Sequence, residues 1–403
     1  MKRIARVILQ PAILAITLSV VLSAATLDEK ADHALKFAAA QLKISVSQIA
    51  DPEQLARTTK PDGSWKTVKA DDWTSGFFPG LLWYASEFTG DQEFRKWAES
   101  RTASLEGQKN NANDHDIGFR IFCSYGNGYR ITGNTAYKPV ILTAAKTLAS
   151  RYNPAVGCIR SWNHGSWMFP VIIDNMMNLE LLFWASKNGG DPSLYDIAVK
   201  HALTTMQNHV RPDGGSFHVV DYDKSTGAVL KRQTHQGFKD DSTWARGQAW
   251  GIYGFTMVYR ETGERSFLHT ARKMADYFIG HLPEDHVPYW DFSAASMPNE
   301  PRDSSAAAIA SSGLLELSTL VPDEASKQKY RKAALALLES LCSPAYLSEG
   351  TRMRSILQHA TGHKPGNSEI DVGIIYGDYY FVEALLRYKD PNRIPKPTPR
   401  AAA

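Results

Sequence analysis

Cysteine is scarce in this sequence. Among 403 residues there are three cysteines, Cys123, Cys158 and Cys342, which lie far apart along the chain. This spacing excludes a cysteine-based metal cluster, and the number allows one disulfide. Each thiol is expected to pack as a small apolar group in or near a helix. No HExxH, CxxC, P-loop or GxGxxG signature is present either.

A strong charge of either sign is also missing. The formal net charge is +3 and no basic tract interrupts the chain, which excludes nucleic acid as a partner. With 43% hydrophobic and 22% charged residues, the composition is that of a globular protein. Aromatic residues are abundant, with 10 Trp and 17 Tyr. This is typical of proteins that stack sugar rings and equally of large helical cores.

The N-terminus has the pattern of a secretory signal peptide. A basic segment, Met1–Arg6, leads into an uncharged run, Val7–Leu22, which is followed by the small residues Ser23–Ala25. We therefore predict a signal peptide over residues 1–25. An uncleaved membrane anchor is the alternative, although the run is close to the lower length limit for spanning a bilayer. Because the run has no cysteine for lipid attachment, the mature protein is expected in the periplasm, without stable membrane association.

A helix–turn–helix pattern recurs six times. In each copy an apolar or aromatic helix end is followed by a short turn, where Gly closes one helix and Asp, Asn or Glu opens the next. The fifth copy is looser, and the sixth ends the chain. The copies are Tyr84–Phe94, Gly128–Tyr137, Phe183–Tyr195, Met257–Phe267, Leu314–Ala325 and Tyr379–Tyr388.

Six helical hairpins predict an all-α fold. Copies spaced by about 45 to 70 residues indicate a helical-hairpin repeat, and six hairpins can close into an (α/α)6 barrel. An open solenoid is the alternative. Segments before the turns suit an inner ring, and the amphipathic segments after them suit an outer ring. We predict a single domain over residues 26–390 and a frayed, Pro-rich tail over 391–403.

Asp174 is a carboxylate within the apolar run Phe169–Trp184, which we predict to be a helix that begins at Pro170. Burial of an ionised carboxylate costs several kcal/mol unless the group is paired or protonated. Asp174 therefore needs a raised pKa, a dedicated partner or a cavity. A raised pKa and a cavity suit a general acid, and a structural Asp bonded to backbone is the alternative.

Asp116 precedes the second inner helix. It could cap that helix or, together with Asp174, face one mouth of the barrel. Two neighbouring carboxylates raise the pKa of one of them, which is the arrangement used for acid/base work on glycosidic substrates.

The stretch Thr234–Trp250 is the densest in polar and aromatic residues. We expect Ser242 or Asp241 to cap a helix that carries Arg246 and Trp250 on one face. This pair could clamp a ring that bears a carboxylate, or it could be a cation–π pair that holds the helix to its neighbour. An acidic partner elsewhere could neutralise Arg246.

Four strings together resemble the unsaturated glucuronyl hydrolases, family 88 of the glycoside hydrolases. The resemblance extends over nearly the whole mature chain, with the strings in the same order and at similar spacing. They are His115–Phe119, Ile173–Asn178, His235–Trp250 and Glu369–Asp378.

The resemblance implies an (α/α)6 barrel with no metal or organic cofactor. Its substrates are unsaturated oligosaccharides left by polysaccharide lyases, with a C4=C5 double bond in the terminal uronic acid, and glycosaminoglycan disaccharides are expected. Asp174 matches the general acid/base and Asp116 the second essential carboxylate. The residues expected to line the uronate subsite are His115, His218, Gln236, Arg246, Trp250 and Trp73, while Ser368 and Asn367 sit where relatives contact the next sugar. Arg246 and Gln236 could hold the carboxylate or the water, with Trp250 stacked on the sugar ring. A monomer or homodimer is expected.

Other readings remain open from the sequence. The alternatives are an unsaturated rhamnogalacturonyl hydrolase, an ulvan-type unsaturated uronyl hydrolase, a conventional inverting glycosidase and a non-catalytic sugar-binding protein. Near one loop, the basic residues could be ordinary solvated charge or a patch for sulfate or a second uronate. They are Arg352, Arg354, His359, His363 and Lys364.

Overall fold

Helical hairpins account for most of the chain in the computed structural model, which describes residues 25–398. The predicted signal peptide lies outside these residues, apart from Ala25. The described part contains twelve α-helices: α1 (Leu27–Gln48), α2 (Phe77–Thr89), α3 (Gln92–Ala103), α4 (Asn127–Thr132), α5 (Tyr137–Ala149), α6 (Leu179–Lys187), α7 (Ser193–His209), α8 (Ala245–Thr262), α9 (Arg265–Gly280), α10 (Ser304–Leu320), α11 (Glu324–Leu341) and α12 (Ile375–Lys389).

The helices form two concentric rings, so the predicted (α/α)6 barrel is confirmed. Helices α2, α4, α6, α8, α10 and α12 form the inner ring, and α8, α10 and α12 are buried along nearly their whole length. The inner helices α4 and α6 are extended at their N-terminal ends by a π-helix, Gly118–Gly126, and a 3₁₀ helix, Ile173–Asn178. Helices α3, α5, α7, α9 and α11 form the outer ring with α1, each with one buried face.

The first and last helices close the ring. Helix α1 packs against α12, α11 and α2, so the N-terminal helix is the outer partner of the last inner helix. The repeat pattern did not identify α1, because its pairing partner lies at the other end of the sequence. Its N-terminus is fixed by a capping box between Thr26 and Glu29.

Glycine and aspartate end and begin helices as predicted at several turns. Gly90, Gly133 and Gly263 adopt left-handed conformations with φ of 71°, 66° and 73° directly after α2, α4 and α8. Asp91 and Asp323 accept hydrogen bonds from backbone N–H groups in the first turns of α3 and α11.

Short antiparallel strands lie in the connections between helices. Strands β1 (Leu55–Thr59) and β2 (Trp65–Val68) form a hairpin, as do β3 (Tyr152–Asn153) and β4 (Cys158–Ile159). A three-stranded sheet has the order β5–β6–β7, with β5 (Pro170–Ile172), β6 (Val219–Tyr222) and β7 (Val229–Gln233).

Strand β5 corrects the prediction that a helix begins at Pro170. Pro170 pairs with Asp221 of β6, and the carboxylate of Asp221 accepts a hydrogen bond from the N–H of Phe169 at 2.8 Å. The α-helical part of the run begins only at Leu179. Pairing with β6, which lies about fifty residues further along the chain, overrides the local helical pattern.

The predicted cap of α8 is also wrong. The helix begins at Ala245, whose N–H donates to the carbonyl of Trp290. The hydroxyl of Ser242 instead donates to the carboxylate of Asp291 at 2.7 Å. The loop that contains Trp290 and Asp291 therefore accepts the hydrogen bond at the start of α8 that a local capping side chain was expected to accept.

The tail is ordered against the barrel as far as Thr398, so the expected fraying is not found up to that residue. Pro391–Arg393 form a 3₁₀ helix and Ile394 is buried. The N–H of Thr398 donates to the carbonyl of Arg260, and Lys187 donates to the hydroxyl of Thr398. The tail thus crosses the mouth at which the inner helices end.

The three cysteines are unpaired, and Cys158 and Cys342 are buried. Among residues 25–398, no helix has the length and apolar character needed to cross a membrane.

A buried ion-pair network joins α8, α10 and α12 beneath the tail. Glu316 of α10 is 1% exposed and accepts hydrogen bonds from Arg260 at 2.8 Å and from Arg387 at 3.1 Å. Loss of this carboxylate leaves two buried guanidinium groups with fewer partners, which is strongly destabilising.

We expect Glu316→Ala to lower the free energy of unfolding by about 3 to 5 kcal/mol, as measured by urea denaturation. The control is Glu324→Ala in the first turn of the outer helix α11, which should change it by less than about 0.5 kcal/mol. Equal effects of the two substitutions would contradict this account.

Candidate active site

A cavity of about 940 Å³ opens at the mouth where the inner helices begin. Its walls come from the β1–β2 hairpin, from segments that precede inner helices, and from the loop 361–369. Seven of the residues predicted for the site line this cavity: Trp73, His115, Asp116, Asp174, Gln236, Arg246 and Ser368.

Two predicted residues lie behind the cavity wall. Trp250 is fully buried, with its ring centroid 5.3 Å from Phe119 and 5.2 Å from Tyr380. Its ring cannot stack on a sugar without rearrangement of the core, which corrects the expected stacking role. Trp73 instead offers an aromatic side chain to the cavity. His218 is also buried but reaches Asp174 from behind.

Asp174 lies in the first turn of the 3₁₀ helix that follows β5, where it meets the cavity floor. Its residue surface is 7% exposed. Burial raises the pKa of this carboxyl to about 7, although the positive charge of Arg246 and the indole N–H of Trp250 act in the opposite direction. A carboxyl with this pKa exists in both protonation states near neutral pH.

The proton of His218 has a fixed position. Its Nδ1 accepts hydrogen bonds from the backbone N–H groups of His235 and Gln236, at 3.1 and 3.2 Å. Burial keeps the pKa of His218 well below its usual value, so the ring is neutral. The single proton must therefore be on Nε2, which faces the Oδ2 atom of Asp174 at 3.7 Å.

Asp116 precedes the π-helix but does not cap it, since the first turn has no side-chain cap. Burial raises the pKa of Asp116 well above its usual value, and the negative charges of Asp114 and Asp174 add to this effect. Arg120 offsets it in part and is itself paired with Asp114. The predicted electrostatic interaction between Asp116 and Asp174 is thus present, and Asp114 is a third contributor.

His115 lies next to Asp116 and is neutral. Its Nε2 atom is 3.4 Å from a carboxylate oxygen of Asp116, and burial lowers its pKa to about 4. It therefore adds a polar group without a charge.

Arg246 is held from three directions. Its guanidinium donates to Asp303 at 3.0 Å and to the carbonyls of Thr361 and Gly362. It also lies over the rings of Trp244 and Tyr376, at 4.4 and 5.2 Å from their centroids. Asp303 is therefore the acidic partner of Arg246 that the sequence analysis left unspecified. The aromatic rings under its guanidinium belong to Trp244 and Tyr376, and not to Trp250 as expected.

Other residues of the lining were not identified from the sequence. Arg57 of β1 is paired with Asp72 and Glu369, and joins the β1–β2 hairpin to the loop 361–369. Trp162 and His164 also line the cavity, and their rings stack with centroids 5.0 Å apart. Glu369 begins one of the strings that carried the family resemblance, whereas the other residues lack any local signal.

Comparisons with known proteins identify the family. The family model described as Glycosyl Hydrolase Family 88 matches residues 45–390. The chain belongs to this family.

Relatives in family 88 cover most of the chain. It is 50% identical to an unsaturated glucuronyl hydrolase of Formosa agariphila over 79% of this chain and 80% of that protein. The chain is 34% identical to an unsaturated chondroitin disaccharide hydrolase of Streptococcus agalactiae, over 89% of this chain and 92% of that protein. A crystal structure of an unsaturated glucuronyl hydrolase specific for heparin superposes with a TM-score of 0.87 at 44% identity, over 91% of this chain and 99% of that one.

The pKa of Asp174 can be measured directly. Infrared spectra recorded as the pH is raised should show the C=O band of protonated carboxyls losing one component, with a midpoint at about pH 7. The midpoint is this high because burial disfavours the charged form of Asp174. The component should be missing in Asp174→Asn. Asp191→Asn, an exposed substitution before α7, should retain it. A component that persists in Asp174→Asn would assign the titration to another group.

Proposed function

We propose that the protein is an unsaturated glucuronyl hydrolase in which Asp174 donates the proton that starts the reaction. It removes the terminal 4,5-unsaturated uronic acid from oligosaccharides produced by polysaccharide lyases. The observation that carries this proposal is the position of Asp174, a carboxyl with a pKa of about 7 on the floor of the cavity.

The double bond provides a route that needs no attack at the anomeric carbon. Protonation of C4 by Asp174 places positive charge on C5 and the ring oxygen, and water then adds to C5 as the resulting carboxylate accepts its proton. The product is a hemiketal at C5. Its ring opens to a C5 ketone and leaves a hemiacetal at C1, which releases the next sugar with the glycosidic oxygen.

His218 and Arg246 suit the negative charge that Asp174 acquires when it transfers its proton. His218 presents a neutral Nε2–H to Asp174, which favours the carboxylate after proton transfer. Arg246 adds positive charge close to Asp174 and can also attract the uronate. Because Arg246 is fixed by Asp303, it is oriented before the substrate arrives.

Glycosaminoglycan disaccharides are the proposed substrates. The relatives whose names give chondroitin and heparin as substrates support this class. These relatives favour glucuronyl over rhamnogalacturonyl specificity. We also propose export to the periplasm by residues 1–25, supported by the basic, apolar and small-residue order of that segment. N-terminal sequencing of the protein from a periplasmic fraction tests this.

The first experiment follows the ultraviolet absorbance of the conjugated uronate in unsaturated chondroitin and heparin disaccharides. The wild-type enzyme should remove this absorbance, and Asp174→Asn should reduce kcat by about 10²- to 10⁴-fold or more, because a positioned proton donor is lost. Asp191→Asn is the control and should retain the activity. Near-normal turnover by a folded Asp174→Asn variant would refute the assignment.

Labelled water distinguishes hydration from conventional glycoside hydrolysis. In H₂¹⁸O the hydration route places ¹⁸O at C5 of the uronate product, and in D₂O it places deuterium at C4. Conventional hydrolysis by an inverting enzyme would place ¹⁸O at C1 and leave the double bond intact.

The pH profile should show the protonation state that Asp174 needs. The neutral carboxyl is present below its pKa, so kcat/KM should fall about tenfold per pH unit above about pH 7. The absorbance assay at saturating and limiting substrate gives this profile. A rate that keeps rising well above pH 7 would assign the proton donor to a different group.

A further inference from the structure

The 3₁₀ helix that carries Asp174 also carries two asparagines whose side chains lie behind the cavity wall. Asn175 and Asn178 are three residues apart in Ile173–Asn178, so they lie on one face of a helix with three residues per turn. Both are fully buried, and neither lines the cavity. Their face of the helix meets the segment His115–Phe119, which contains the second carboxylate of the site.

Asn178 packs directly on the backbone of the π-helix. Its Oδ1 atom accepts a hydrogen bond from the N–H of Phe119 at 3.0 Å. A Cβ atom at Gly118 would lie 2.5 Å from the same Oδ1 atom, so only glycine allows this close approach. Because Oδ1 is committed to Phe119, the amide cannot be flipped, and Nδ2 is the atom that remains for a further partner.

The carboxyl of Asp116 is the group on which this Nδ2 atom acts. Among residues 25–398, the buried Nδ2 atom of Asn178 has no other partner, and as a donor to the carboxyl it lowers the pKa of Asp116. The contact falls outside ordinary hydrogen-bond geometry, as is common at active sites before substrate binds. An amide N–H can only donate, so it stabilises the ionised form of the carboxyl.

Asn175 prevents His115 from acting as a second donor to Asp116. Its Nδ2 atom donates to the carbonyl of Ile159 at 3.0 Å, which leaves Oδ1 for the ring of His115. The Nδ1 atom of that ring has no other partner in the described part of the chain. The proton of the neutral ring is therefore on Nδ1, and Nε2 presents a lone pair to Asp116 at 3.4 Å.

The charged neighbours of Asp116 act in both directions. Two carboxylates disfavour its negative charge and two guanidinium groups favour it. They are Asp114, Asp174, Arg120 and Arg151. One of these arginines, Arg120, is itself paired with Asp114. Asn178 differs from all of them, because an amide has no titratable proton and its effect on the carboxyl is the same at every pH.

We propose that Asn178 is a positioning residue that holds the carboxyl of Asp116 at the cavity and keeps it available in its ionised form. The catalytic consequence rests on the proposed function, because Asn178 lies behind the wall and can act on the reaction only through Asp116. In that function, protonation of C4 places positive charge on the sugar ring, which an ionised carboxylate in the cavity wall stabilises. One short helix would then supply the proton donor and fix its partner carboxylate.

Infrared titration of Asn178→Ala tests the contact without any substrate. The component of the carboxyl C=O band that is missing in Asp116→Asn identifies Asp116. In Asn178→Ala this component should titrate about one pH unit higher, because a donor to the ionised form is lost. Asn127→Ala is the matched control, since it removes a buried amide that donates to Tyr379, away from both carboxylates, and it should leave the midpoint unchanged. A wild-type midpoint in Asn178→Ala would overturn the inference.

A second variant, Asn178→Asp, keeps an oxygen for the N–H of Phe119 and so preserves the contact on which folding depends. It replaces the Nδ2 donor by a second carboxyl oxygen. Two adjacent carboxyls share a proton, so the Asp116 component should leave its wild-type midpoint, and the last proton of the pair should be lost at higher pH. A component that stays at the wild-type midpoint would show that the side chain at position 178 does not face Asp116.

Turnover of unsaturated chondroitin disaccharide tests the consequence for the reaction. Asn178→Ala should lower kcat about tenfold and leave KM within about twofold of wild type, because the side chain acts on Asp116 and not on the substrate. In the Asp116→Asn background the same substitution should have no further effect, since the group through which it acts is gone. A loss of equal size in both backgrounds would give Asn178 a purely structural role and contradict the proposal.

The spectra and the kinetics separate this inference from the function on which it rests. If the wild-type enzyme leaves the absorbance of every unsaturated disaccharide unchanged, the proposed function fails, and the spectra alone decide whether Asn178 holds Asp116. If the disaccharides are turned over but the Asp116 component moves in neither variant, only the inference fails.

Discussion

The barrel is stable because its helical ring is closed. Each inner helix buries its sides against two neighbours, so an open ring would leave apolar faces of its two end hairpins in water. Packing of α1 on α12 and α2 removes these ends. Because an outer helix separates consecutive inner helices, all inner helices point the same way, and in the closed ring residues separated by hundreds of positions meet at one mouth.

The two mouths of the barrel have different electrostatic characters. Where the inner helices end, the buried cations are saturated by carboxylates, as in the contacts of Glu316 with Arg260 and Arg387. Where they begin, Asp116 and Asp174 are buried without comparable compensation, so their pKa values rise. The first arrangement holds helices together, and the second keeps carboxyls protonated at a pH close to neutral, as the proposed proton donor requires.

Sequence reasoning placed Asp116 and Asp174 at one cavity despite an error in local structure. The run around Asp174 enters the cavity through strand β5 and a 3₁₀ helix rather than through a helix that begins at Pro170. Asp174 still meets a cavity and has a raised pKa, because that expectation depended on the cost of burying a carboxylate, which applies to either backbone. For Trp250 the reasoning failed, because spacing on a helix gives the face of a residue but not its depth along the barrel axis.

The all-α architecture, the helix–turn–helix repeat and the family strings could be predicted from the chain alone, because they depend on local patterns of apolar, capping and polar residues. The pairing of the charged side chains, in contrast, could be seen only in the folded barrel. Asp303 is paired with Arg246, Glu300 with Lys364, and Glu369 with Arg57, and each pair joins segments far apart in the chain. Such pairing depends on distances that arise only when the ring closes, and no local pattern encodes it.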